Sequence, residues 1–362
     1  MNIGILGGGQ LGRMMALAGY PLDIACRIFE PAHESSAAQV TSRLQGEFDD
    51  YRTLFEFAQG LDAVTFEFEN VPVNTARWLA ERVPVFPPPE ALAVAQDRIA
   101  EKTFFASLGI PVPPFAAVET RASFNDALSE IGLPAVLKTT RFGYDGKGQA
   151  VLKSHSEVES IWQLLGGRPL NYESFVPFDR ELSIISVRGR DGEIVHYPLV
   201  ENAHREGMLR RTTAPAPQLT TGLQKKAEEY ARLVMERLHY VGVLAIELFE
   251  VKGELLVNEM APRVHNSGHW TIEGAATSQF ENHMRAIAGL PLGSTKPLGS
   301  AIMLNLIGQT PPLAKMLAIP GAHVHLYGKT PRANRKLGHV TLLGLEASVV
   351  TEQAGRLEAL IG

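Results

Sequence analysis

Residues 243–249 read Val-Leu-Ala-Ile-Glu-Leu-Phe, an apolar run broken once, by Glu247. A carboxylate on a buried strand is costly unless a cation or a hydrogen-bond partner meets it, so Glu247 constrains how this part of the chain can fold. Residues 254–260 read as a second strand, and Lys252-Gly253 between the two marks a turn. A two-residue turn there sets Glu247 opposite Asn258, whereas a three-residue turn that includes Glu254 sets it opposite Glu259. Facing carboxylates repel unless a cation lies between them. Oxygen ligands from Glu247, Asn258 and Glu259, completed by substrate phosphates, describe a magnesium site of the nucleotide-bound kind, with Mn2+ as the alternative ion. An edge strand with solvated acids accounts for Glu259 easily and for Glu247 poorly.

The N-terminal third reads differently. Residues 3–6 form a buried strand that runs into Gly7-Gly8-Gly9-Gln10-Leu11-Gly12 and then a helical segment. This is G-x-G-x-x-G at a strand-to-helix turn, where backbone N–H groups favour an anion. A second strand, 24–29, ends at Glu30, near the place of a ribose-binding carboxylate. Alone, this part fits an NAD enzyme, although any tight or phosphate-holding βα turn can use the same glycines. A third strand, 61–66, leads into Glu67-Phe68-Glu69-Asn70 at the sheet edge where ligands collect. The plainer reading of Glu67 and Glu69 is a solvated loop.

The middle segment is expected to hold a helix over 97–108, a proline-rich linker, and a helix capped by Ser123 and Asp126 that stops at Gly132. Strands are expected at 135–139, 149–153 and near 170–172, with Ser156 and Glu159 as a capping box. Between the first two strands lies Gly143-Tyr144-Asp145-Gly146-Lys147-Gly148. Such a glycine loop can lie over a triphosphate, with Lys138 and Lys147 supplying positive charge; a mobile hairpin is the alternative. A P-loop is excluded, because Gly328-Lys329-Thr330 has His323 where the first glycine belongs.

Further on, strands are expected at 181–188 and 193–200 around Asp191-Gly192, and an amphipathic helix at 222–238. The polar loop Pro262-Arg263-Val264-His265-Asn266-Ser267-Gly268-His269 follows the acidic hairpin and suits a small oxyanion, held by Arg263 and Asn266. No His-Glu-x-x-His pattern supports zinc at His265 and His269. With 34 Lys+Arg against 39 Asp+Glu, the net charge of -5 argues against nucleic acid or an anionic membrane as partner. Yet residues 282–345 contain no Asp or Glu, and their cations are densest from Lys329 to Lys336, which points to an anion-holding patch. The single cysteine, Cys26, is expected as a small core side chain. No apolar run approaches the roughly 18 residues of a membrane span, and the first strand starts at once, so a soluble cytoplasmic protein is expected. At roughly 100–200 residues per domain, two or three domains are expected.

A Rossmann-like unit, a glycine-rich loop between strands, and paired strands carrying Glu247 and Asn258-Glu259 occur in this order in the ATP-grasp superfamily. Within it the chain resembles the N5-carboxyaminoimidazole ribonucleotide synthetase family. The resemblance rests on Gly7-Gly8-Gly9-Gln10-Leu11-Gly12-Arg13-Met14, Phe66-Glu67-Phe68-Glu69-Asn70-Val71-Pro72, the stretch from Thr139 to Gln149, the block from Val257 to Trp270, and Arg335-Lys336-Leu337-Gly338-His339. It implies an α/β chain, α+β overall, of ATP-grasp fold. Its parts would be an N-terminal Rossmann-like parallel-sheet domain (1–96), a linker helix with a small α+β lid domain (97–178), and a larger mixed-sheet C-terminal domain (179–362).

The resemblance also implies roles. Lys138 and the loop Gly143, Tyr144, Asp145, Gly146, Lys147, Gly148 and Gln149 would hold phosphates, with Arg98, His204 and Asn258 in the same nucleotide site. Glu173, Ser174, Phe175 and Val176 would meet adenine, Glu181 the ribose, and Glu247 and Glu259 magnesium. Gln10, Leu11, Glu67, Tyr144 and Asp145 would face 5-aminoimidazole ribonucleotide, with its phosphate on Lys329, Arg335 and Lys336. Arg263, His265 and Asn266 would hold bicarbonate. The implied reaction is ATP-dependent carboxylation of the ribonucleotide's exocyclic amine through carboxyphosphate, in a homodimer of purine biosynthesis. The rivals are another ATP-grasp ligase (formate-dependent glycinamide ribonucleotide transformylase or biotin carboxylase), an NAD-dependent dehydrogenase, and a nucleotide-binding regulator without turnover.

Overall fold

A computed structural model of the chain describes residues 1–141 and 148–361. Its first sheet is built from β1 (Asn2–Leu6), β2 (Ala25–Phe29), β3 (Ser42–Leu44) and β4 (Ala63–Phe66), all parallel, in the order β3-β2-β1-β4. Helices cover both faces of β1 and β4, which explains why residues 3–6 and 63–66 are all buried. The order reverses between β1 and β4, so the crevice beyond their C-terminal ends is the switch point where α/β sheets bind ligands. Gly7 and Glu67 follow directly from those two ends.

The second sheet holds β5 (Phe115–Val118), β6 (Ala135–Thr139), β7 (Gln149–Leu152) and β8 (Leu170–Ser174), antiparallel in the order β5-β8-β6-β7. It packs a core of its own around Phe124, Leu137, Leu152 and Tyr172. The helix Arg121–Ile131 is capped by Thr120, with Ser123 as its capping-box partner, and Asp126 lies inside the helix. The second capping box is Ser154 with Glu157, two residues earlier than expected. The chain leaves β7 at Leu152, so the first free amides are those of Lys153 and Ser154, and both donate to Glu157.

The third sheet has nine strands: β9 (Arg180–Arg188), β10 (Ile194–His196), β11 (Val200–Arg205), β12 (Met208–Ala214), β13 (Gly242–Val251), β14 (Glu254–Ala261), β15 (Ser300–Ile307), β16 (Ala322–Leu326) and β17 (Lys336–Gly344). Its order is β14-β13-β9-β11-β12-β15-β17-β16, with β10 beside β9. Every pairing is antiparallel, which corrects the expectation of a mixed sheet here. Tight turns such as Glu206-Gly207 and Lys252-Gly253 connect neighbours directly and leave no crossover for a parallel pair. The strand expected over 193–200 is two strands, β10 and β11, interrupted at Pro198, which has no N–H for a ladder.

Both faces of this sheet are covered. Leu182, Ile184, Leu244 and Ile246 pack against the helix Thr221–Arg237. Ile185, Val187, Val243 and Ala245 pack on the opposite side against the helix Gln279–Ala288, which also touches Met14 and Met15 of the N-terminal unit. Glu247 shares the face of Val243 and Ala245, at the point where that core gives way to a cleft. Cys26 is half-buried at the margin of the same core.

Candidate active site

The turn between β13 and β14 has two residues, Val251 pairing with Glu254, and both Lys252 and Gly253 have positive φ, as a type I′ turn requires. That turn alone would leave Glu247 opposite Asn258. A β-bulge intervenes: Leu248 pairs with Val257, Glu247 with Glu259, and Asn258 is the extra residue. The carboxylates therefore face each other across the hairpin by way of the bulge, not the longer turn. Burial and the Glu259 charge push the Glu247 carboxyl up to about 7. Burial acts on Glu259 in the same sense, but Arg98, Lys138 and Lys102 outweigh it and hold its pKa below the ordinary range. Among the described residues, no cluster of three His, Cys, Asp or Glu side chains is arranged to hold a metal. Two carboxylates with the remaining positions left to phosphate oxygens and water are the donors that a nucleotide-carried magnesium takes, so the residues fit such an ion.

Cations and the nucleotide-site candidates surround this pair. Arg98 Nη1 lies 3.0 Å from Glu259 Oε2. Lys138, on β6, donates to Glu173 Oε2 at 2.8 Å, and Asn171 donates to the other oxygen at 2.6 Å. The Glu173 side chain is thus committed to ion pairs, which leaves its backbone, with Ser174, Phe175 and Val176, as the part that can meet a base. Phe175 is exposed there. Glu181, on β9, accepts from His204; burial opposes the charged ring, but this bond together with the Glu247, Glu181 and Glu259 charges outweighs it and raises the imidazole pKa. A second bulge, between Ala203 and His204, aims that histidine. Glu181, His204, Glu247 and Asn258 line one cavity. Gly143, Tyr144, Asp145, Gly146 and Lys147 lie outside the described residues. At the loop's end, Gly148 O accepts the Thr139 amide at 2.8 Å and Gln149 opens β7.

At the switch point, Glu67 takes the Gly9 and Gly12 amides at 2.7 and 3.1 Å, while Glu30 takes the Gly8 amide at 2.6 Å. The anion position of the glycine turn is filled by the chain's own carboxylates, which removes the ground for a dinucleotide reading. Gly9 is needed for this approach: a Cβ there would lie 2.5 Å from Glu67 Oε1. Gln10 accepts from Lys329, which links this edge to the basic patch more than 300 residues away in sequence. The Leu11 side chain is buried in the core, so only its backbone can face a ligand. Arg335 reaches both oxygens of Glu34, at 3.2 and 3.1 Å. Lys336 opens β17 beside a third bulge.

The loop after β14 completes the ring. Arg263 Nη2 meets Glu69 Oε2 at 3.0 Å, so Glu69 is a partner and not a solvated acid. His265 Nδ1 accepts the Ser267 amide at 3.3 Å, which places the proton of the neutral ring on Nε2, 3.4 Å from Glu247 Oε1. Burial first, then Arg263, keeps this histidine well below its ordinary pKa. The Asn266 amide nitrogen and oxygen and Arg263 Nε are all buried without hydrogen-bond partners. Buried polar atoms are rarely left this way, and three in one loop leave donors and an acceptor that a small polar ligand would satisfy.

Three family models match the chain: an ATP-grasp domain over residues 103–280, a ribonucleotide synthetase preATP-grasp domain over 1–96, and a phosphoribosylaminoimidazole carboxylase C-terminal domain over 301–353. The chain is 50% identical over 361 residues to N5-carboxyaminoimidazole ribonucleotide synthase of Pseudomonas aeruginosa, covering 100% of this chain and 99% of that protein. The chain belongs to the N5-carboxyaminoimidazole ribonucleotide synthase family. The family's crystal structure from Thermus thermophilus matches with a TM-score of 0.96 and 56% identity, covering 99% of this chain and 98% of that one. A family structure from Aspergillus clavatus, in complex with ADP and 5-aminoimidazole ribonucleotide, matches with a TM-score of 0.92 and 30% identity, covering 99% and 98%. Family members are ATP-grasp ligases, and this chain has their fold across its whole length.

Two residues of the site escaped sequence reasoning. Glu101 and Lys102 fall in the helix expected over 97–108 with no role assigned to them, yet they are 2% and 1% exposed and touch β14. The available signal was their spacing from Arg98, which puts all three on one helix face.

Proposed function

We propose that this chain carboxylates the exocyclic amine of 5-aminoimidazole ribonucleotide, using ATP and bicarbonate, to give N5-carboxyaminoimidazole ribonucleotide, ADP and phosphate in purine biosynthesis. The observation that carries the reading is the facing pair Glu247 and Glu259 with Arg98 on one side and the orphaned Asn266 amide with Arg263 on the other. Glu247 and Glu259 would hold magnesium, which when bound offsets phosphate charge. Lys138 and Arg98 orient the triphosphate, with Glu181 and His204 toward the ribose and Glu173–Val176 toward adenine. The units 1–96, 97–178 and 179–362 would then serve as ribonucleotide domain, lid and main nucleotide domain.

Asn266 and Arg263 present donors to bicarbonate, and His265 Nε2–H orients it beside the γ-phosphate. A bicarbonate oxygen attacks phosphorus, the bond to the ADP oxygen breaks, and carboxyphosphate results. The ribonucleotide amine then takes the carboxyl carbon, directly or as CO2, phosphate leaves, and the amine proton is lost to solvent or phosphate. Gln10, Lys329 and Lys336 gather at the edge where the ribonucleotide would lie, with Arg335 near its phosphate. Lid closure must exclude water, because carboxyphosphate hydrolyses readily.

The test is ADP release by the purified protein. It should require ribonucleotide, bicarbonate and magnesium together, and formate or glycinamide ribonucleotide should not substitute. Release that formate supports as well as bicarbonate would transfer the chain to another ATP-grasp reaction. No helix among the described residues is long and apolar enough to cross a membrane. On the resemblance alone we assign a cytoplasmic homodimer; sedimentation of the purified protein would check the dimer, and fractionation of cells its location.

A further inference from the structure

The helix Arg98–Ser107, capped by Asp97 through the Ile99 and Ala100 amides, lays its first turn across the bulged end of β14. Arg98, Glu101 and Lys102 stand at i, i+3 and i+4 and share one face. Glu101 Oε1 accepts the Met260 N–H at 2.7 Å. Lys102 Nζ donates to the carbonyls of Asn258 at 2.6 Å and Val257 at 3.3 Å. The same ammonium lies 3.8 Å from Glu173 Oε2, the carboxylate that also takes Lys138. β14 is the outermost strand of its sheet, so alternate backbone groups face away from β13, and the bulge adds to them; such groups, when buried, are destabilising until something bonds them. Here two carbonyls and one amide beside Asn258 find their partners on a single helical turn.

We propose that Glu101 and Lys102 are positioning residues that stabilise the bulge at Asn258 and thereby set Glu247 opposite Glu259 before any ion binds. The proposal rests on the reading of those two carboxylates as magnesium ligands. Both side chains are buried and end on the backbone of β14. Lys102 also ties the bulge to Glu173, on the strand that leads into the segment proposed to meet adenine, so both share one buried ammonium.

The experiment measures ADP affinity by calorimetry with and without magnesium, alongside thermal melting, for wild type, Lys102→Met, Glu101→Leu and Glu101→Gln. Lys102→Met and Glu101→Leu should reduce the magnesium-dependent gain in ADP affinity by roughly 10-fold or more, as loss of groups that orient metal ligands does. Glu101→Gln, whose amide oxygen still accepts the Met260 N–H, should keep most of the gain. Folded Lys102→Met and Glu101→Leu proteins with an undiminished gain would overturn the proposal.

A measurement on the wild type keeps the test open if these variants do not fold. The Met260 amide should be protected from hydrogen exchange without nucleotide or magnesium, because the helix already holds it. Fast exchange until magnesium and ADP are added would mean that the ion makes the bulge, and the proposal would fail. Glu259→Gln serves as the control. An unchanged magnesium gain in that variant would refute the reading of the carboxylates and not the brace.

Discussion

His283 joins the N-terminal sheet to the large one, and acid should loosen that joint. Its ring is fully buried. Nδ1 accepts the Val243 N–H at 3.0 Å, so the neutral ring carries its proton on Nε2 and gives it to Thr65 Oγ1 at 2.9 Å. Burial pulls its pKa from 6.5 down to about 3. In the unfolded chain an imidazole titrates near 6.5, so below that pH the unfolded state takes up a proton that the folded ring refuses. Stability is therefore full above about pH 6.5 and falls with acidification until the folded ring titrates. Each pH unit in that window costs about 1.4 kcal/mol, so at about pH 5 this one residue removes about 2 kcal/mol. In His283→Asn, the side-chain oxygen can still accept the Val243 N–H, and the residue does not titrate. Urea unfolding at about pH 7.5 and about pH 5 should show wild type losing about 2 kcal/mol more than the variant. His265, His269 and His339 are also held well below their ordinary pKa, but they are present in both proteins and cancel in the difference. Equal losses to within about 0.5 kcal/mol would refute the neutral, buried joint.

Other outcomes follow from single contacts. Asn266→Ala should raise the KM for bicarbonate by about 10- to 100-fold, the worth of a hydrogen bond to an anion, while ADP binding and unfolding free energy stay close to wild type. A KM unchanged in steady-state ADP release would remove Asn266 from the oxyanion site. The Thr330 amide first, then Arg335, pulls the Glu34 carboxyl down to about 2, so Glu34 occupies Arg335 throughout the working pH range. Glu34→Gln should therefore lower the KM for the ribonucleotide and Arg335→Ala should raise it; an Arg335→Ala enzyme with wild-type KM would sink the phosphate assignment. Burial pushes the Cys26 thiol up to about 12, so a thiol reagent at pH 8 should label native protein far more slowly than protein in denaturant.

Much of the site was legible because its chemistry is local in the chain. Glu247 stands out as an acid in an apolar strand, and the loop from Arg263 to His269 as a polar run after it. The Asn282–Leu345 stretch without acids announced the patch that meets Gln10 through Lys329. The glycine turn was misleading taken alone, because a sequence shows that glycines permit close approach without showing what approaches. Here the visitors are Glu30 and Glu67. β3, β5, the β11–β12 hairpin, β15, β16 and β17 went unread; β3 has three residues, which carry no period, and the β11–β12 hairpin buries its polar residues Asn202 and Thr212 against each other.

By itself, the sequence determined the strands that carry Lys138, Glu181, Glu247 and Glu259, the places where the chain turns between them, and which residues could do phosphate and oxyanion chemistry. These follow from side-chain period, turn preference and charge, each set within a few neighbouring positions. Only the tertiary structure decided the register of Glu247. One extra residue at Asn258 leaves the alternation of apolar and polar positions readable on both sides, and the groups that stabilise it come from Glu101 and Lys102, more than 150 positions earlier. A backbone irregularity stabilised by remote side chains has no local signature, and in this protein it places the two acids face to face.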